Sequence, residues 1–435
     1  MRTRPEARPP RPCPLLCDGD ASPLPPSPAA DDQPFSWTTP KDGGWEYFDP
    51  NHQITICDQT YGGHPISCVI PDNETVDYVL AEAAVQRLQD LKRLDKPFFF
   101  TLGHLKPHPF VAVPQSAFDR YPLESVPLPK YPTYISNRKT DPEPAFYSCT
   151  SVNHRTPLLE RNLTISPYMP LPDNITRTIR QAYFAGTTHT DEQIGKTLAE
   201  LERLDLLEST VIVFHADHGW GLGESAEFCK MGLSEHRTSV PFMVRYPSGT
   251  HHVVEEPVEL VSVMNTVIEL ATGEPVPSGV SDGVSYAGAV RAPGTAPTPP
   301  QGFDVPLAFS VYPRCFHSQD PVQNPCIEVH NSQFSHLGLS VRSRDFRYTE
   351  WRLWDGDTCT PRFDAEPAEV LLFDHTDDGR TSFDGDFEQM DRSEDPQYAG
   401  VRKQHAAWVA QQWNAGWGAK GCGKDSEATF LGSGE

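Results

Sequence analysis

Two short segments carry residue types that could bind and transform an anionic ester. In HADHGWGLGE (215–224), Asp217 offers a hard oxygen of the kind calcium or magnesium takes, with His218 beside it. The pair ends the apolar run TVIVFHADHG (210–219), and the end of a buried strand is where a metal or an anion can be reached. A turn-forming Asp next to a solvated His would explain the same letters. In LGHLKPHPF (102–110), Lys106 and His108 stand two apart. In extended chain such residues point to one side, so an ammonium and an imidazole would face one site, where they could bind an anionic oxygen and donate a proton. A Pro-punctuated surface loop is the alternative. His189, in AGTTHTDEQIG, precedes Ile194 by five residues. That is about 140° around a helix, off the apolar stripe, so it reads either as a site residue or as an exposed helix residue. Lys230, in EFCKMG, follows the Asp-His segment by a short loop and could fold back over it, or be an ordinary solvated lysine.

The elements that must position these residues alternate. Segment 76–95 places Leu80, Ala84, Leu88 and Leu91 on one helical face, with Thr75 as N-cap, and PFFFTLG (97–103) reads as a strand buried on both faces. Residues 174–207 carry Ile194, Leu198, Leu201 and Leu204 on a helical stripe and lead into the 210–219 strand. A strand is expected at 240–247 and a helix at 258–273, stopped by Gly273. The alternation implies an α/β fold with a parallel or mixed sheet covered on both faces. Residues 274–335, rich in Pro, Gly and Ser, read mostly as loops. Strands at 340–354 and 369–375 suggest a small antiparallel sheet.

The 36 Lys and Arg against 59 Asp and Glu give a net charge of −23, which disfavours nucleic acid and anionic membranes as partners. No stretch approaches the roughly 18 apolar residues of a membrane span. Ten Cys and the sequons at Asn73, Asn162 and Asn174 point to a secretory compartment. The opening MRTRPEARPPRPCPLLCDGD has no apolar core of a signal peptide, a conflict that resolves if the true N-terminus is absent. The expected organisation is a disordered or non-native segment at 1–30, a partial α/β domain at 31–335, a small subdomain at 336–400 and a tail at 401–435.

Taken in order, KPH after an apolar run, THxD in a helix, DHGW-LGE after a second run, and a following Lys resemble the sulfatase family. DDQPFSW (31–37), PFFFTLGHLKPHPF, IRQAYFAG (179–186), ADHGWGLGE and RDFRYTEW (344–351) are most similar to its iduronate-2-sulfatase branch. The resemblance implies an alkaline phosphatase-like α/β sandwich, with a large mixed or parallel sheet flanked by helices and a smaller C-terminal antiparallel sheet. It implies a lysosomal or secreted hydrolase of sulfated sugars or polysaccharides that uses calcium and a formylglycine made from the Cys of C-x-P-x-R. It places Asp217 and His218 at the calcium, Lys106 and Lys230 on sulfate oxygens, His108 at the formylglycine intermediate and His189 as proton donor to the leaving alkoxide. It also implies a Cys57–Cys68 disulfide.

The chain departs from that pattern. C-x-P-x-R does not occur in it, Cys359-Thr-Pro-Arg362 being a near miss read as accidental, and Asp31-Asp32 matches a later family position than the metal-binding pair. Ser225 stands where relatives often have His. The expectation is therefore a chain lacking the nucleophile and half the metal site, inactive alone. Two other readings stay open: a non-catalytic binder of sulfated glycans, and a metal-dependent phosphodiesterase of the same superfamily.

Overall fold

The computed structural model describes residues 67–109, 111–135, 137, 144–148, 166–247, 249, 251–277, 279–316, 326, 329–377 and 388–417. They divide into two compact units, one comprising residues up to 122 with 181–205, the other 123–180 with residues from 206 onward. Neither unit ends near residue 335, where the sequence suggested a boundary. The segments 1–30 and 31–37, Cys57 and Asn162 lie outside the described residues.

In the first unit, Thr75 starts helix α1 (Val76–Leu94) as the sequence indicated, its hydroxyl accepting from the Tyr78 amide at 3.2 Å. Lys92 and Arg93 sit in the last turn, where the helix dipole favours cations. Strand β1 (Ser67–Val69) pairs in parallel with β2 (Val111–Val113), so β1, α1 and β2 form one crossover unit. The strand expected at 97–103 does not form. Among the described residues no strand pairs with it, and Phe99 is 69% exposed between half-buried Phe98 and Phe100. An apolar run without a backbone ladder remains extended chain.

Helix α2 (Asp173–Arg203) contributes residues 181–203 to this unit. Its buried face is only partly the one expected. Ala182, Ala185, His189, Gln193 and Glu200 are buried together with Leu201 of the apolar stripe, whereas Leu198 is 39% exposed. Polar groups that satisfy one another win the buried face here, so His189 is a fully buried residue and not an exposed one. Gly186 allows the approach, since a Cβ there would lie 3.1 Å from the Val111 side chain and 3.2 Å from the Pro107 backbone.

In the second unit, β3 (Ile212–His215) carries the Asp-His segment, β4 (Gly221–Leu222) and β5 (Phe228–Cys229) form a hairpin, and β6 (Phe242–Arg245) pairs antiparallel with β3. The α/β class stands, although parallel pairing among the described residues is confined to β1 and β2. Helix α3 (Val263–Thr272) ends as expected at Gly273, which adopts φ 81° and donates to the Glu269 carbonyl at 2.9 Å. The small antiparallel sheet is larger than expected. It comprises β7 (Ala308–Arg314), β8 (His336–Arg342), β9 (Phe346–Asp355), β10 (Thr360–Pro361) and β11 (Glu369–Asp374), ordered β10-β9-β8-β7 with β11 also on β9. Segment 340–354, read as one strand, is broken by a turn at Ser343, whose amide donates to Phe346 O at 2.9 Å.

Helix α4 (Ala399–Gln412) packs Val409 against Leu337, Leu339, Val341 and Leu372 of the sheet. The boundary proposed at 401 for a tail thus falls inside a packed helix. Its large apolar residues are few, Val401, Trp408 and Val409, which is why the sequence reads as part of an acidic, Gly-rich tail. Leu339 is fully buried in this core. Leu339→Ala is expected to cost about 2–5 kcal/mol in denaturant unfolding, and Leu353→Ala, at a 48% exposed position of the same sheet, less than about 0.5 kcal/mol.

Candidate functional site

The first unit places Lys106, His108 and His189 around the start of α1. Asp77 sits one turn before Ala81, in register with Ala84 and Leu88, and its side chain is completely buried. Its Oδ1 accepts from the Leu105 amide at 2.6 Å, and its Oδ2 accepts from the Lys106 amide and the Thr190 hydroxyl, each at 3.0 Å. Burial alone would raise the Asp77 pKa, but His104 and the two amides outweigh it and hold the carboxyl below its usual range. The His104 Nδ1 lies 3.6 Å from Oδ1, longer than a hydrogen bond of normal length.

The Lys106 loop is a turn, not a strand. The His108 amide donates to Leu105 O at 3.0 Å, around a cis Lys106–Pro107 peptide. The expectation that Lys106 and His108 point to one side from extended chain therefore fails. Lys106 Nζ donates to His108 O at 3.0 Å, and His108 Nδ1 lies 2.5 Å from Pro109 O. Burial pushes the Lys106 ammonium down to about 8, with the Asp77 carboxylate opposing the fall.

Thr75 fixes the other imidazole. Its hydroxyl donates to Asp72 O at 2.8 Å, so its one hydrogen is used, and the His189 Nε2 at 2.9 Å must be the donor to Thr75 Oγ1. The bare Nδ1, buried and without a hydrogen-bond partner, faces Asp72 Oδ1 at 3.6 Å. Burial lowers the His189 pKa, partly opposed by Asp77, Asp72 and Glu192. A proton gained or lost by His189 is thus exchanged at Nδ1. Asp72, Asp77, His104 and Thr190 were missed in the sequence. Asp77 had a readable signal, a charge on the apolar face of an otherwise regular helix.

The second unit places Asp217, His218 and Lys230. Asp217 Oδ1 accepts the His218 amide at 2.8 Å, and His218 Nε2 lies 3.3 Å from Oδ2. Only glycine fits after them, because a Cβ on Gly219 would meet His236 O at 2.1 Å and Ser239 O at 2.8 Å. Buried Arg237 ties this turn to the β4–β5 hairpin. Its carbonyl accepts the Gly219 amide at 2.8 Å, and its guanidinium bonds Glu227 at 3.0 Å and Cys229 O at 3.2 Å. Lys230, half-buried, lies between Cys229 at φ 67° and Met231 at φ 73°, and Ser225 and Ala226 adopt φ 53° and 57°. Four left-handed non-glycine residues so close together cost on the order of 1–3 kcal/mol each and need outside support. Gln389 bonds Ser225 Oγ at 2.6 Å, Ser225 N donates to Tyr131 O at 2.8 Å, and Cys229 is disulfide-bonded.

Asp217 and His218 do not fit a calcium ion by themselves. Calcium takes roughly six to eight oxygens, whereas this pair offers one carboxylate, half engaged by an amide, and one nitrogen. Among the described residues the three-ligand cluster that does gather is Glu235, His375 and Glu388. That cluster already holds its cations, with Arg347 on Glu388 and Arg342 on Glu235. Burial would raise the Glu388 pKa, but Arg347 and His375 hold it far below the carboxylate range. Cys359 is disulfide-bonded, in keeping with an accidental match to C-x-P-x-R. Cys68 is disulfide-bonded as well, while its proposed partner Cys57 lies outside the described residues. Cys315 and Cys326 pair with each other.

The family described as Sulfatase matches residues 32–273. The chain is 27% identical over 402 residues to the iduronate 2-sulfatase of Mus musculus, covering 80% of this chain and 69% of that one. Among solved structures it is similar to a phosphonate monoester hydrolase from Silicibacter pomeroyi, with TM-score 0.59, 20% identity and coverage of 84% of this chain and 67% of the other. A second is a protein in complex with its substrate D-glucosamine-2-N,6-O-disulfate, with TM-score 0.52, 17% identity and coverage of 78% and 69%. At such identities the two structures establish the fold.

Lys106 generates a stability prediction. Its folded pKa, about 8, lies below the ordinary 10.5, so between these values the unfolded chain binds more protons and stability rises with pH. Lys106→Met, which keeps the stem, is expected to raise the melting temperature at pH 7, the gain fading as pH rises from about 8 toward 10.5. A loss of stability at pH 7 would show that the ammonium is not held at a cost.

Proposed function

The chain belongs to the sulfatase family, and from that premise we propose that it acts on sulfated carbohydrate of the kind handled by iduronate 2-sulfatases. The observation that carries this reading is the desolvated Lys106 ammonium, tied through Asp77 and Thr190 to the His189 segment. A cation kept in a poorly solvated place at a cost to stability is typical of functional sites. Sulfate ester cleavage requires charge on the ester oxygens to be met by cations, and a proton for the departing oxygen.

In this reading Lys106 and Lys230 meet sulfate oxygens, His108 would assist a formylglycine nucleophile where one is supplied, and His189 supplies the proton. With the His189 pKa lowered by burial, its capacity to donate grows as pH falls below the ordinary 6.5, which suits an acidic compartment. Asp217 and His218 belong to the metal side. Since they do not fit calcium alone, no step is assigned to the ion, whose chemistry when bound is charge neutralisation on sulfate oxygens. The disulfide-bonded Cys68, Cys229, Cys315, Cys326 and Cys359 and the exposed sequon residues Asn73 and Asn174 support a secretory-pathway location, lysosomal or extracellular. No helix of the described residues is long and apolar enough to cross a membrane. Sulfated sugar as partner is supported by the substrate of the second structural relative, and the net charge of −23 argues against nucleic acid.

Because C-x-P-x-R is not among these 435 residues, the chain alone is proposed to bind without turnover. The test has two arms. With an aryl sulfate, hydrolysis should not exceed that of Lys106→Ala, and turnover abolished by that substitution would reject the inactivity. With a sulfated disaccharide, wild type should bind roughly tenfold more tightly than Lys106→Ala, the worth of one charge-assisted hydrogen bond. Equal affinities would reject the sulfate-binding role of Lys106.

A further inference from the structure

We propose that Asp77 is a positioning residue, whose carboxylate holds the Lys106 turn and the His189–Thr190 segment together so that both can engage a sulfate ester. This rests on the sulfatase reading of Lys106 and His189 and extends it to a residue that acts through them.

An acidic residue in the first turn of a helix has an ordinary explanation, the favourable interaction with the helix dipole and the free amides of that turn. Asp77 does not use its oxygens that way. They leave the helix and accept from the amides of Leu105 and Lys106 and from the Thr190 hydroxyl. That hydroxyl also lies 3.0 Å from Lys106 O, so the carboxylate, the Lys106 peptide and the residue after His189 form one closed arrangement. Two residues before Asp77, Thr75 receives the Nε2 of His189. The opening turn of α1 therefore holds the Lys106 backbone and the His189 ring.

A neutral side chain could not do the same. Asn has one acceptor oxygen and two N–H groups, and would set donor against donor at either Lys106 N or Leu105 N. Burying a full charge here makes sense if the charge itself is needed, since a buried carboxylate without partners would cost far more than an amide. Asp77 helps to keep the Lys106 ammonium protonated, and the His104 imidazole also faces its carboxylate, Nδ1 lying 3.6 Å from Oδ1. His189 feels Asp77 as well, along with Asp72, Glu192 and Lys196.

The test reads Lys106 directly and needs no turnover. The full chain is acetylated with acetic anhydride over a pH series, with and without inorganic sulfate, and the extent at Lys106 is followed by peptide mass spectrometry with Lys196 as the internal control. In Asp77→Asn that keeps a cooperative thermal transition, the midpoint for Lys106 should fall by about one pH unit, and Asp77→Glu should recover part of it. A folded Asp77→Asn protein with an unchanged midpoint overturns the proposal. Should Asp77→Asn fail to fold, Thr190→Val keeps the carboxylate and removes only the bridging hydroxyl. Lys106 should then react about threefold faster at fixed pH as its turn loosens, roughly the worth of one neutral hydrogen bond, and an unchanged rate overturns the proposal. Sulfate should slow acetylation of wild-type Lys106 and not of Lys196. If it slows neither, the sulfate reading of Lys106 falls, while the role of Asp77 is still decided by the midpoint and the rate.

Discussion

A carboxylate with no contact to water must have its charge met by neighbours, and in the first unit that requirement falls on Asp77. Its oxygens are satisfied by the amides of Leu105 and Lys106 and by Thr190, which dictates where the Lys106 turn closes and which face of α2 turns inward. The polar face of α2 is buried at His189, Thr190 and Gln193 because this side of α1 presents polar partners, while Leu198 is left to solvent. The position of the Lys106 turn follows from one buried charge, while the state of His189 is set by burial and by Thr75.

The second unit solves a similar problem with a buried cation. Arg237 spends its guanidinium on Glu227 and on the carbonyls of the β4–β5 hairpin, and its own carbonyl on Gly219. One residue thereby couples the Asp217-His218 turn to the strained strap bearing Lys230. Farther along, the five-stranded sheet is stiffened on one side by α4 and on the other by Trp351, Leu371 and Phe373. Arg314 lies buried against the rings of Tyr147, Tyr312 and Trp351, and burial pushes it down to about 10. Each unit thus sets its functional side chains on backbone that a buried ionic group holds in place.

Much of this was legible in the letters. The cap at Thr75, the stop at Gly273 and the strands at 212–215, 242–245 and 369–374 follow from local chemistry, and the residue motifs by themselves resemble the family. What failed was whatever depends on partners distant in sequence. PFFFTLG has the composition of a buried strand but no ladder to join among the described residues. Lys106 and His108 were read by the two-residue period of extended chain, yet a hydrogen bond from His108 N to Leu105 O makes a turn. His189 was placed off the apolar stripe correctly, but burial on α2 follows polar complementarity with α1, which periodicity cannot register.

The start of α1 fixes His189 as a neutral, buried imidazole with its hydrogen on Nε2, held by Thr75. Nitrogen NMR of the ring in the intact chain tests this most directly. The account requires at pH 7 a neutral ring protonated at Nε2, titrating below the ordinary 6.5. A ring charged at pH 7, or a neutral ring with its hydrogen on Nδ1, would contradict it.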